Sequence, residues 1–510
     1  MKNTIKTLAF IILSFVSVIS KAQTQIGSDI IGDNPGDLAG NVILSKDGTT
    51  LAVGAYMNSS GKTQNGQVRV FRSVSGAWVQ IGSDIIGDVD NERSGEILAI
   101  SSNGEILAIG SRQKNSGAGQ VKVYRYNPIP GTWTQIGADI NGDTAGDNFG
   151  RSISLSHDGN VISIGAVYYD IPFRSAGQVK IFKNIADTWV QIGSDILGES
   201  DSDYSYVTSL SSDGSTVAIG AARADVGGDT DIGYVRIFKN TSGTWVQVGL
   251  DIIGESGGDL SGSLVSLSAN GSIVAIGATR NSFPGIVGRR SGHVRVYKFN
   301  SDSTSWIQMG QDVDGAASED AAAYVSISDN GLRIAVGAPY NDDNGTDAGQ
   351  VKIYDYDSIN SIWTQTGTNI EGSTGDQVGR PSLSGDGSVL AIGSYRNDNV
   401  NGVDAGYAKI YTVPISGNSA PTNISLSSSS INENVASGTT IGTLSTTDSD
   451  SGDTHTYSFV SGIGDTDNTS FTISGANLLT NTALDYETKN SYSIVVQTSD
   501  GTATYSKTFT

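Results

Sequence analysis

Apolar and polar residues alternate along most of the chain in short runs. In residues 152–166, Ile153 and Leu155 alternate with serines, and an apolar run follows a His-Asp-Gly turn. Two further runs complete the unit, GQVKIF at 177–182 and TWVQIGSDI at 188–196. Alternation with a period of two, bounded by Gly-rich turns, predicts antiparallel β-strands rather than helices. Each unit is therefore predicted to contain four strands.

The last run of this unit occurs in seven copies, at steps of 55 to 61 residues. Self-similarity at such a period predicts a repeat architecture. Four-stranded units that cannot bury both faces alone pack side by side and close on themselves. We therefore predict an all-β fold in which residues 24–413 form a seven-bladed β-propeller. The seven copies lie at residues 24–31, 79–86, 134–141, 190–197, 246–253, 307–314 and 364–371.

The first and last copies indicate how the ring closes. Residues 24–31 have no tryptophan before them, whereas the seventh repeat supplies strands near 380–384, 389–394 and 406–412 but no fourth. Residues 24–31 are therefore a fourth strand without a blade of their own, and the seventh repeat is a blade without a fourth strand. We expect residues 24–31 to be the outermost strand of the last blade, antiparallel to the strand that ends at Tyr411.

The turn between the first and second strands has a glycine preceded by Asp or Asn in every repeat. Such pairs tolerate the positive φ of two-residue hairpins, which we expect at these positions. A turn of that length offers too few oxygens to hold calcium. The glycines are Gly48, Gly104, Gly159, Gly214, Gly271, Gly331 and Gly387.

Two other residue types recur at fixed positions. A basic residue in each third strand could form a ring of cations, but local pairing with neighbouring carboxylates is the commoner outcome. The six tryptophans all occupy one position, where packing between blades is favoured over a sugar-binding platform. The basic residues are Arg69, Lys122, Lys180, Arg236, Arg295, Lys352 and Lys409. The tryptophans are Trp78, Trp133, Trp189, Trp245, Trp306 and Trp363.

The composition and the first residues indicate the compartment. Lys2 and Lys6 precede an apolar run at 8–19 and a small-residue site, which predicts a signal peptide over residues 1–22. No later run is apolar enough for a membrane helix, and the absence of cysteine excludes disulfides and thiol catalysis. A net charge of −21 disfavours nucleic-acid partners. We expect a protein that is secreted or held at the outer cell surface.

Residues 149–159 and 334–354 resemble FG-GAP repeats, the units of the integrin α-chain propeller, as found in bacterial-type secreted surface proteins. The literal Phe-Gly pair occurs at Phe149 and Gly150, and the literal Gly-Ala-Pro at 337–339. The resemblance implies that first strands line the axis, that tryptophan strands lie outermost and that the long loops share one face. Integrin-type repeats often carry a calcium loop between their first two strands. No such loop is present here, so no cofactor is expected in the propeller.

The long loops are rich in carboxylates. Loops on a rigid scaffold are common binding sites, which makes this face a candidate for ligand binding, although a solvated acidic rim is the commoner arrangement. The candidates on this face are Asp143, Asp147, Asp201, Asp203, Asp225, Asp229, Asp231, Asp342, Asp343 and Asp347.

After a linker at 414–423, residues 424–510 resemble a cadherin repeat, carried by 431–444, 447–459 and 484–501. Short alternating strands predict a β-sandwich there. We expect this sandwich to be truncated at Thr510. The resemblance implies Ca²⁺ between consecutive repeats. Its matching carboxylates are Glu433, Asp448, Asp450, Asp485, Glu487 and Asp500.

Catalytic residues are not evident. His157, His293 and His455 show no metal or triad spacing and are interpreted as structural or solvated. Three arginines near the starts of inner strands, Arg93, Arg151 and Arg380, could meet an anion at the axis but occupy different offsets. We therefore do not expect an enzyme. The expected function is adhesion to, or interaction with, a protein or glycan ligand at the cell surface. The alternatives are a carbohydrate-active hydrolase or lyase and a purely structural spacer.

Overall fold

The computed structural model describes residues 22–281, 290–414, 421–448, 454–462, 464–500 and 503–510. Residues 1–21 of the predicted signal peptide and 415–420 of the predicted linker lie outside the described residues. The chain forms two compact units, Met1–Pro414 and Ile415–Thr510.

Within its described residues, the larger unit contains seven antiparallel sheets, each with four strand positions. The first strands are Ala39–Leu44, Ile97–Ile100, Phe149–Leu155, Ser205–Leu210, Ser261–Leu267, Tyr324–Ile327 and Arg380–Leu383. The second strands are Thr50–Ala55, Ile106–Ser111, Val161–Ala166, Thr216–Ala221, Ile273–Ala278, Arg333–Ala338 and Val389–Ser394. The third strands are Gln67–Val74, Gln120–Asn127, Gln178–Ile185, Tyr234–Thr241, His293–Asn300, Gln350–Asp357 and Tyr407–Thr412.

The fourth position is divided into two short segments in six of these sheets. The predicted strand at 188–196 is divided into two segments on either side of a bend at Gly193, which has φ +74°; Gln191 pairs with Phe182 and Ile196 pairs with Val179. The segments, in sheet order, are Ala77–Gln80 with Ile85–Ile86, Thr132–Gln135 with Ile140–Asn141, Thr188–Gln191 with Ile196–Leu197, Thr244–Gln247 with Ile252–Ile253, Ser305–Gln308 with Val313–Asp314, the unbroken Ile362–Glu371, and Thr24–Gln25 with Ile30–Ile31.

The seven sheets are arranged in a closed cycle, which makes this unit a β-propeller. The first strand of each sheet contacts the first strand of the next, and the seventh contacts the first. Seven backbone hydrogen bonds of 2.7–3.0 Å join the turns of neighbouring sheets in the same cyclic order. We call these bonds the hub ring. Its links run, donor to acceptor, from Asp47 to Ser102, Ser102 to His157, His157 to Ser212, Ser212 to Ala269, Ala269 to Asp329, Asp329 to Gly385, and Gly385 to Lys46.

The turns that carry the hub ring are longer than predicted. In the third sheet, Ser156 and Val161 close a turn of four intervening residues, because the N–H of Ser156 donates to the Val161 carbonyl over 2.9 Å. The Ser156 hydroxyl donates to Asp158 at 2.6 Å and accepts from the Val161 N–H at 2.9 Å. The expectation of two-residue hairpins was therefore wrong, since a buried serine side chain fixes a longer turn. Gly159 still supplies the expected positive φ, at +72°.

The N-terminal residues complete the last sheet, as predicted. Thr24 pairs with Thr412 and Gln25 with Tyr411, both antiparallel. Further along, Ile30 pairs with Ala408 and Ile31 with Tyr407. Ile30 is buried in the core between the last and first sheets. The chain therefore closes the propeller with a sheet built from both ends of the unit.

The tryptophans pack between sheets. Trp245 donates its indole N–H to the carbonyl of Ile192 in the preceding sheet at 2.9 Å, and Trp133, Trp189, Trp306 and Trp363 make the equivalent bond. The third-strand cations also pair locally, for example Lys180 with Asp143 at 2.7 Å. Packing and local ion pairing therefore account for both repeated residue types.

The smaller unit is a β-sandwich of two antiparallel sheets within its described residues. Leu444 and Phe471 of one sheet and Val496 of the other are buried in a common core. A short 3₁₀ helix, Asn468–Ser470, precedes one strand. One sheet comprises Asn423–Leu426, Thr440–Thr447, Asn477–Thr480 and Phe471–Ser474, and the other comprises Thr456–Phe459, Ile494–Ser499 and Thr504–Phe509.

Helical structure is minor in the described part of the chain. The larger unit has one four-residue segment of helix, Lys114–Gly117, with left-handed φ at Asn115 and Ser116. Across the described ranges, none of the helices has the length and hydropathy needed to cross a membrane.

Candidate functional site

The long loops of the propeller lie together, as expected. In each sheet, the loop after the second strand is hydrogen-bonded by the loop that leads to the next sheet. The N–H of Ser202 donates to the Arg174 carbonyl at 2.7 Å, and the N–H of Gly375 donates to the Thr346 carbonyl at 2.9 Å. These backbone bonds hold the two loop types on one face, which we call the loop face.

Two of the ten predicted loop-face aspartates are not available there. Asp147 and Asp203 are only 5 % and 2 % exposed. The carboxylate of Asp147 accepts the N–H of Thr144, and that of Asp203 accepts the N–H of Ser200. Their prediction as ligand-face residues is corrected, because an acidic residue at this position folds the loop between sheets. Equivalent buried acids are Asp37, Glu92, Asp259, Asp320 and Asp376.

The other eight aspartates lie in exposed or half-buried loop positions. Several of them organise their own loops, since Asp225 accepts the N–H of Asp231 and Asp342 accepts the N–H of Asp347, each at 2.8 Å. Asp143 is held by Lys180. Asp201 accepts the N–H of Arg174 at 3.0 Å and Asp343 accepts the amide of Gln350 at 3.2 Å, while Asp229 is exposed. A ligand-binding role for these eight stays a prediction.

Charged and aromatic side chains also converge where the first strands begin. Glu96 forms ion pairs with Arg112 at 2.7 Å and with Arg151 at 3.9 Å. Arg380 lies over the rings of Tyr324 and Tyr395, with centroid distances of 5.6 and 5.1 Å. We call these residues the mouth cluster. It includes two of the three arginines that the sequence singled out, together with aromatic residues that the sequence reasoning missed.

The electrostatics of the mouth cluster are mixed. Burial raises the pKa of Tyr395, against the opposing effect of Arg380. Burial also raises the pKa of nearby Tyr56, with Glu96 acting in the same direction and Arg380 against it. These tyrosines therefore remain neutral hydrogen-bonding groups at neutral pH. Neutral hydroxyls beside guanidinium groups suit an anionic or polyhydroxylated ligand.

The sandwich brings three of its six predicted calcium ligands together. One carboxylate oxygen from each of Glu433, Asp485 and Glu487 lies within 4.8 Å of the others, and all three residues are exposed. Glu433 accepts the N–H of Tyr486 at 3.1 Å, which ties the two segments. Hydrogen bonds from Thr488 and from backbone N–H groups lower the pKa of Asp485. Three converging carboxylates are a donor set that suits a hard cation such as Ca²⁺.

The other predicted ligands lie elsewhere in the sandwich. Asp448 follows the end of the strand Thr440–Thr447 and is paired with His455 at 3.2 Å. The segments that carry Glu433 and Asp485 meet before the start of this strand, since residue 434 is hydrogen-bonded to residue 484. Asp500 accepts the N–H of Ala503 at 2.6 Å. Asp450 lies outside the described residues. The five described carboxylates therefore do not form one site.

A further titratable group lies beside the fifth sheet of the propeller. His293 begins the third strand and is 1 % exposed, and its Nδ1 faces Glu255 Oε2 at 3.8 Å, Asp312 Oδ2 at 3.7 Å and Asp314 Oδ1 at 4.0 Å. We call these four residues the His293 cluster. Burial lowers the pKa of His293 to about 3, with Arg295 adding to the effect. Burial and the two neighbouring carboxylates raise the pKa of Asp314 to about 6.

Sequence reasoning missed the His293 cluster because its members come from two repeats. The sequence does carry one signal for this cluster. Histidine begins the third strand in the fifth sheet, whereas glutamine or tyrosine occupies this position in the other six sheets. Those residues are Gln67, Gln120, Gln178, Tyr234, Gln350 and Tyr407.

The geometry defines a β-propeller followed by a β-sandwich. The cadherin domain model matches residues 427–510, which cover the sandwich. Among curated proteins, no match was found.

Several solved structures resemble the chain at low sequence identity. They include hydrazine synthase of Kuenenia stuttgartiensis (14 % identity, TM-score 0.46, 72 % of this chain and 95 % of that chain). A periplasmic gluconolactonase of Pseudomonas aeruginosa is similar at 14 % identity and TM-score 0.46, over 66 % of this chain and 86 % of its own. The Dos1 propeller is similar at 14 % identity and TM-score 0.42, over 73 % and 77 %. None of these similarities indicates a function for this chain.

Proposed function

We propose that this chain is a secreted or cell-surface adhesion or interaction protein. Its FG-GAP-like propeller has seven blades and binds a protein or glycan through the loop face, and its cadherin-like sandwich is a calcium-dependent spacer or adhesion module. The observation that carries the proposal is the convergence of Glu433, Asp485 and Glu487 in a domain that matches cadherin. Cadherin domains generally bind calcium and occur in extracellular proteins, which supports an extracellular role.

The propeller contributes a rigid frame to this function. Its sheets are joined at the hub ring and closed by the N-terminal strand, while the loop face combines loops from adjacent sheets. Loops on such a frame vary in sequence at little cost to the fold. Exposed Asp342 and Asp343 give the face a negative charge that favours basic ligands.

An array of glycans and cell-surface proteins, probed with the full chain in the presence of calcium, tests this proposal. We expect a ligand whose binding is weakened by Asp342→Asn with Asp343→Asn but not by Asp187→Asn, a control on an exposed aspartate of a turn between third and fourth strands. Absence of any protein or glycan ligand, or equal effects of the two variants, would contradict a binding role for the loop face.

The mouth cluster favours a second candidate, a carbohydrate-active enzyme. Arg151, Arg380 and Tyr395 could hold an acidic sugar beside Glu96. A hydrolase ordinarily needs two carboxylates at the bond that breaks, whereas a lyase removes a proton with a single base. Glu96 is the carboxylate of this cluster, so a lyase fits it better than a hydrolase. Turnover of anionic polysaccharides that is lost in Glu96→Gln would support this candidate over the adhesion proposal.

A further inference from the structure

The position of His293 has a defined role in other sheets. In the first sheet, the amide Nε2 of Gln67 donates to Asp33 at 3.0 Å and to Asp84 at 2.7 Å. Asp33 precedes the first strand of that sheet, and Asp84 lies between the two segments of its fourth strand. The glutamine therefore bridges two carboxylates that would otherwise repel each other. Glu255 and Asp312 are the equivalent acids around His293.

The His293 cluster has no such bridge. Nδ1 of His293 is buried and lacks a hydrogen-bond partner among the described residues. Its distances of 3.7–4.0 Å to the three carboxylates are too long for hydrogen bonds. A buried polar nitrogen without a partner is costly, and such groups in native proteins commonly indicate a water or an ion.

The charge of the cluster is also unusual. Asp314 adds a third carboxylate at a position that holds Ile86 in the first sheet and Leu197 in the third. Arg295 is the adjacent cation, and its Nη1 is 3.7 Å from Glu255. Three carboxylates beside one guanidinium leave an excess of negative charge, which favours a bound cation.

The donor atoms are held in place by their neighbours. Gln308 donates to Asp312 Oδ1 at 2.6 Å, which leaves Oδ2 directed at His293. Asn281 donates to Glu255 Oε2 at 3.4 Å. Such outer hydrogen bonds are typical supports of metal ligands.

We propose that the His293 cluster binds one divalent transition-metal ion, represented by Zn²⁺, through His293 Nδ1, Glu255 and Asp312, with Asp314 as the adjacent carboxylate. Donors around a tetrahedral zinc ion lie about 3.4 Å apart. His293 Nδ1 is 3.8 Å from Glu255 and 3.7 Å from Asp312, and all three donors lie within 4.8 Å of one another. An imidazole ligand favours zinc and its neighbours over Ca²⁺ and Mg²⁺, which take oxygen ligands. The ion replaces the amide bridge and ties the fifth sheet to the loop that precedes it. This site departs from the expectation that the propeller holds no cofactor.

Calorimetric titration of the metal-free, untagged full chain with Zn²⁺ tests the proposal. Calcium at about 5 mM, above the range of extracellular calcium modules, occupies the carboxylates of the sandwich during the titration. We expect one zinc ion per chain. His293→Gln is expected to weaken binding by about 100-fold or more, since even outer-shell changes cost 10–100-fold. The variant His157→Gln changes the propeller's half-buried histidine instead of the buried His293, and is expected to bind zinc as the unaltered chain does.

Two further measurements keep the test independent of folding. His293→Gln installs the residue of the first and third sheets, so its circular dichroism should match that of the unaltered chain. Co²⁺ should give the visible absorption of a four-coordinate site in the unaltered chain, and this absorption should be lost in both His293→Gln and Asp312→Asn. Failure of the unaltered chain to bind Zn²⁺, or retention of binding in a folded His293→Gln, would overturn the proposal.

Discussion

At the scale of single residues, several positions of the run that recurs in seven copies have a specific structural role. In the copy at residues 190–197, Gln191 donates to Asp195 at 2.7 Å across the bend, and Gly193 adopts φ +74°. A side chain at Gly193 would meet the indole of Trp245 at 2.7 Å. The carbonyl of Ile192 accepts the Trp245 indole N–H. This run therefore forms the surface on which the tryptophan of the next sheet packs, and we call that surface the tryptophan socket.

Because of this hydrogen bond in the tryptophan socket, the same substitution should lower the free energy of unfolding by different amounts at different tryptophans. Trp245→Phe keeps an aromatic ring but removes the hydrogen bond to Ile192, and should lower the free energy of unfolding by about 1–2 kcal/mol. Trp78→Phe is the matched control, because the indole nitrogen of Trp78 has no hydrogen-bond partner among the described residues. Urea unfolding compares the two variants. Equal losses in the free energy of unfolding would show that the indole hydrogen bond does not contribute to stability.

Acid stability depends on the Ser-x-Asp-Gly turns. Burial acts to raise the pKa of Asp158, Asp213 and Asp386, but hydrogen bonds from serine hydroxyls and backbone N–H groups outweigh it, and each pKa is lowered. A carboxylate with a lowered pKa stabilises the fold above its unfolded-state pKa of about 3.9, and this contribution is lost as pH falls through the folded-state value.

Asparagine at all three positions should therefore reduce the loss of stability between about pH 6 and about pH 3. The substitution suits the turn, because Asn103, Asn270 and Asn330 occupy the same position in other sheets. Melting temperatures across this pH range measure the effect. Parallel curves for the triple variant and the unaltered chain would contradict it.

Some residue roles could be predicted from the sequence and others could not. The tryptophan packing followed from one residue type at one repeated position. The burial of Asp147 and Asp203 was missed because an acidic residue in a loop gives the same pattern whether it faces solvent or folds the loop. The His293 cluster depends on contacts between two repeats and on one departure from glutamine, which alternation does not reveal.

At the scale of elements, the alternation of residues predicted strands well and turns less well. The second strand at 161–166 has the predicted bounds, whereas the fourth strand is broken at Gly193. The turn at Ser156 is longer than predicted because its geometry depends on a side-chain hydrogen bond. A period of two fixes which residues face each way but carries no information on such local bonds.

The N-terminal strand should be needed for stability and solubility. A chain that begins at Asp33 loses the buried side chain of Ile30, worth about 1.5–3 kcal/mol, together with ladder hydrogen bonds worth about 0.5–1.5 kcal/mol each. It also exposes the edge of Tyr407–Thr412, which favours aggregation. Comparison with a chain that begins at Thr24, by melting temperature and solubility, tests this. Equal values would mean that the strand pairing adds little to closure.

At the scale of the whole molecule, the two units should respond differently to calcium. Glu433, Asp485 and Glu487 provide converging carboxylates in the sandwich, and the turns of the propeller provide no comparable set among the described residues. We therefore expect calcium at about 1 mM to raise the melting temperature of the sandwich but not of residues 24–413.

Calorimetric melts with calcium or chelator measure both units. Asp485→Ala with Glu487→Ala should abolish the gain in the sandwich, and Asp465→Ala with Asp467→Asn is a matched change of charge elsewhere in the same domain. A gain that survives the first variant would contradict the ligand assignment. A shift of several degrees in the isolated propeller would show a calcium site that the turns do not explain.

The shared last sheet also sets how the propeller responds to mechanical force. Thr24 is paired with Thr412, so tension applied between the two ends of the propeller meets the strand pair at its open end. Antiparallel strands loaded in this way separate one hydrogen bond at a time, which needs far less force than sliding them past each other. The load falls on the outermost strand of a single sheet, while the hub ring continues to join the turns of all seven sheets. Residues 24–31 would therefore separate from the last sheet first under tension, before the rest of the ring unfolds.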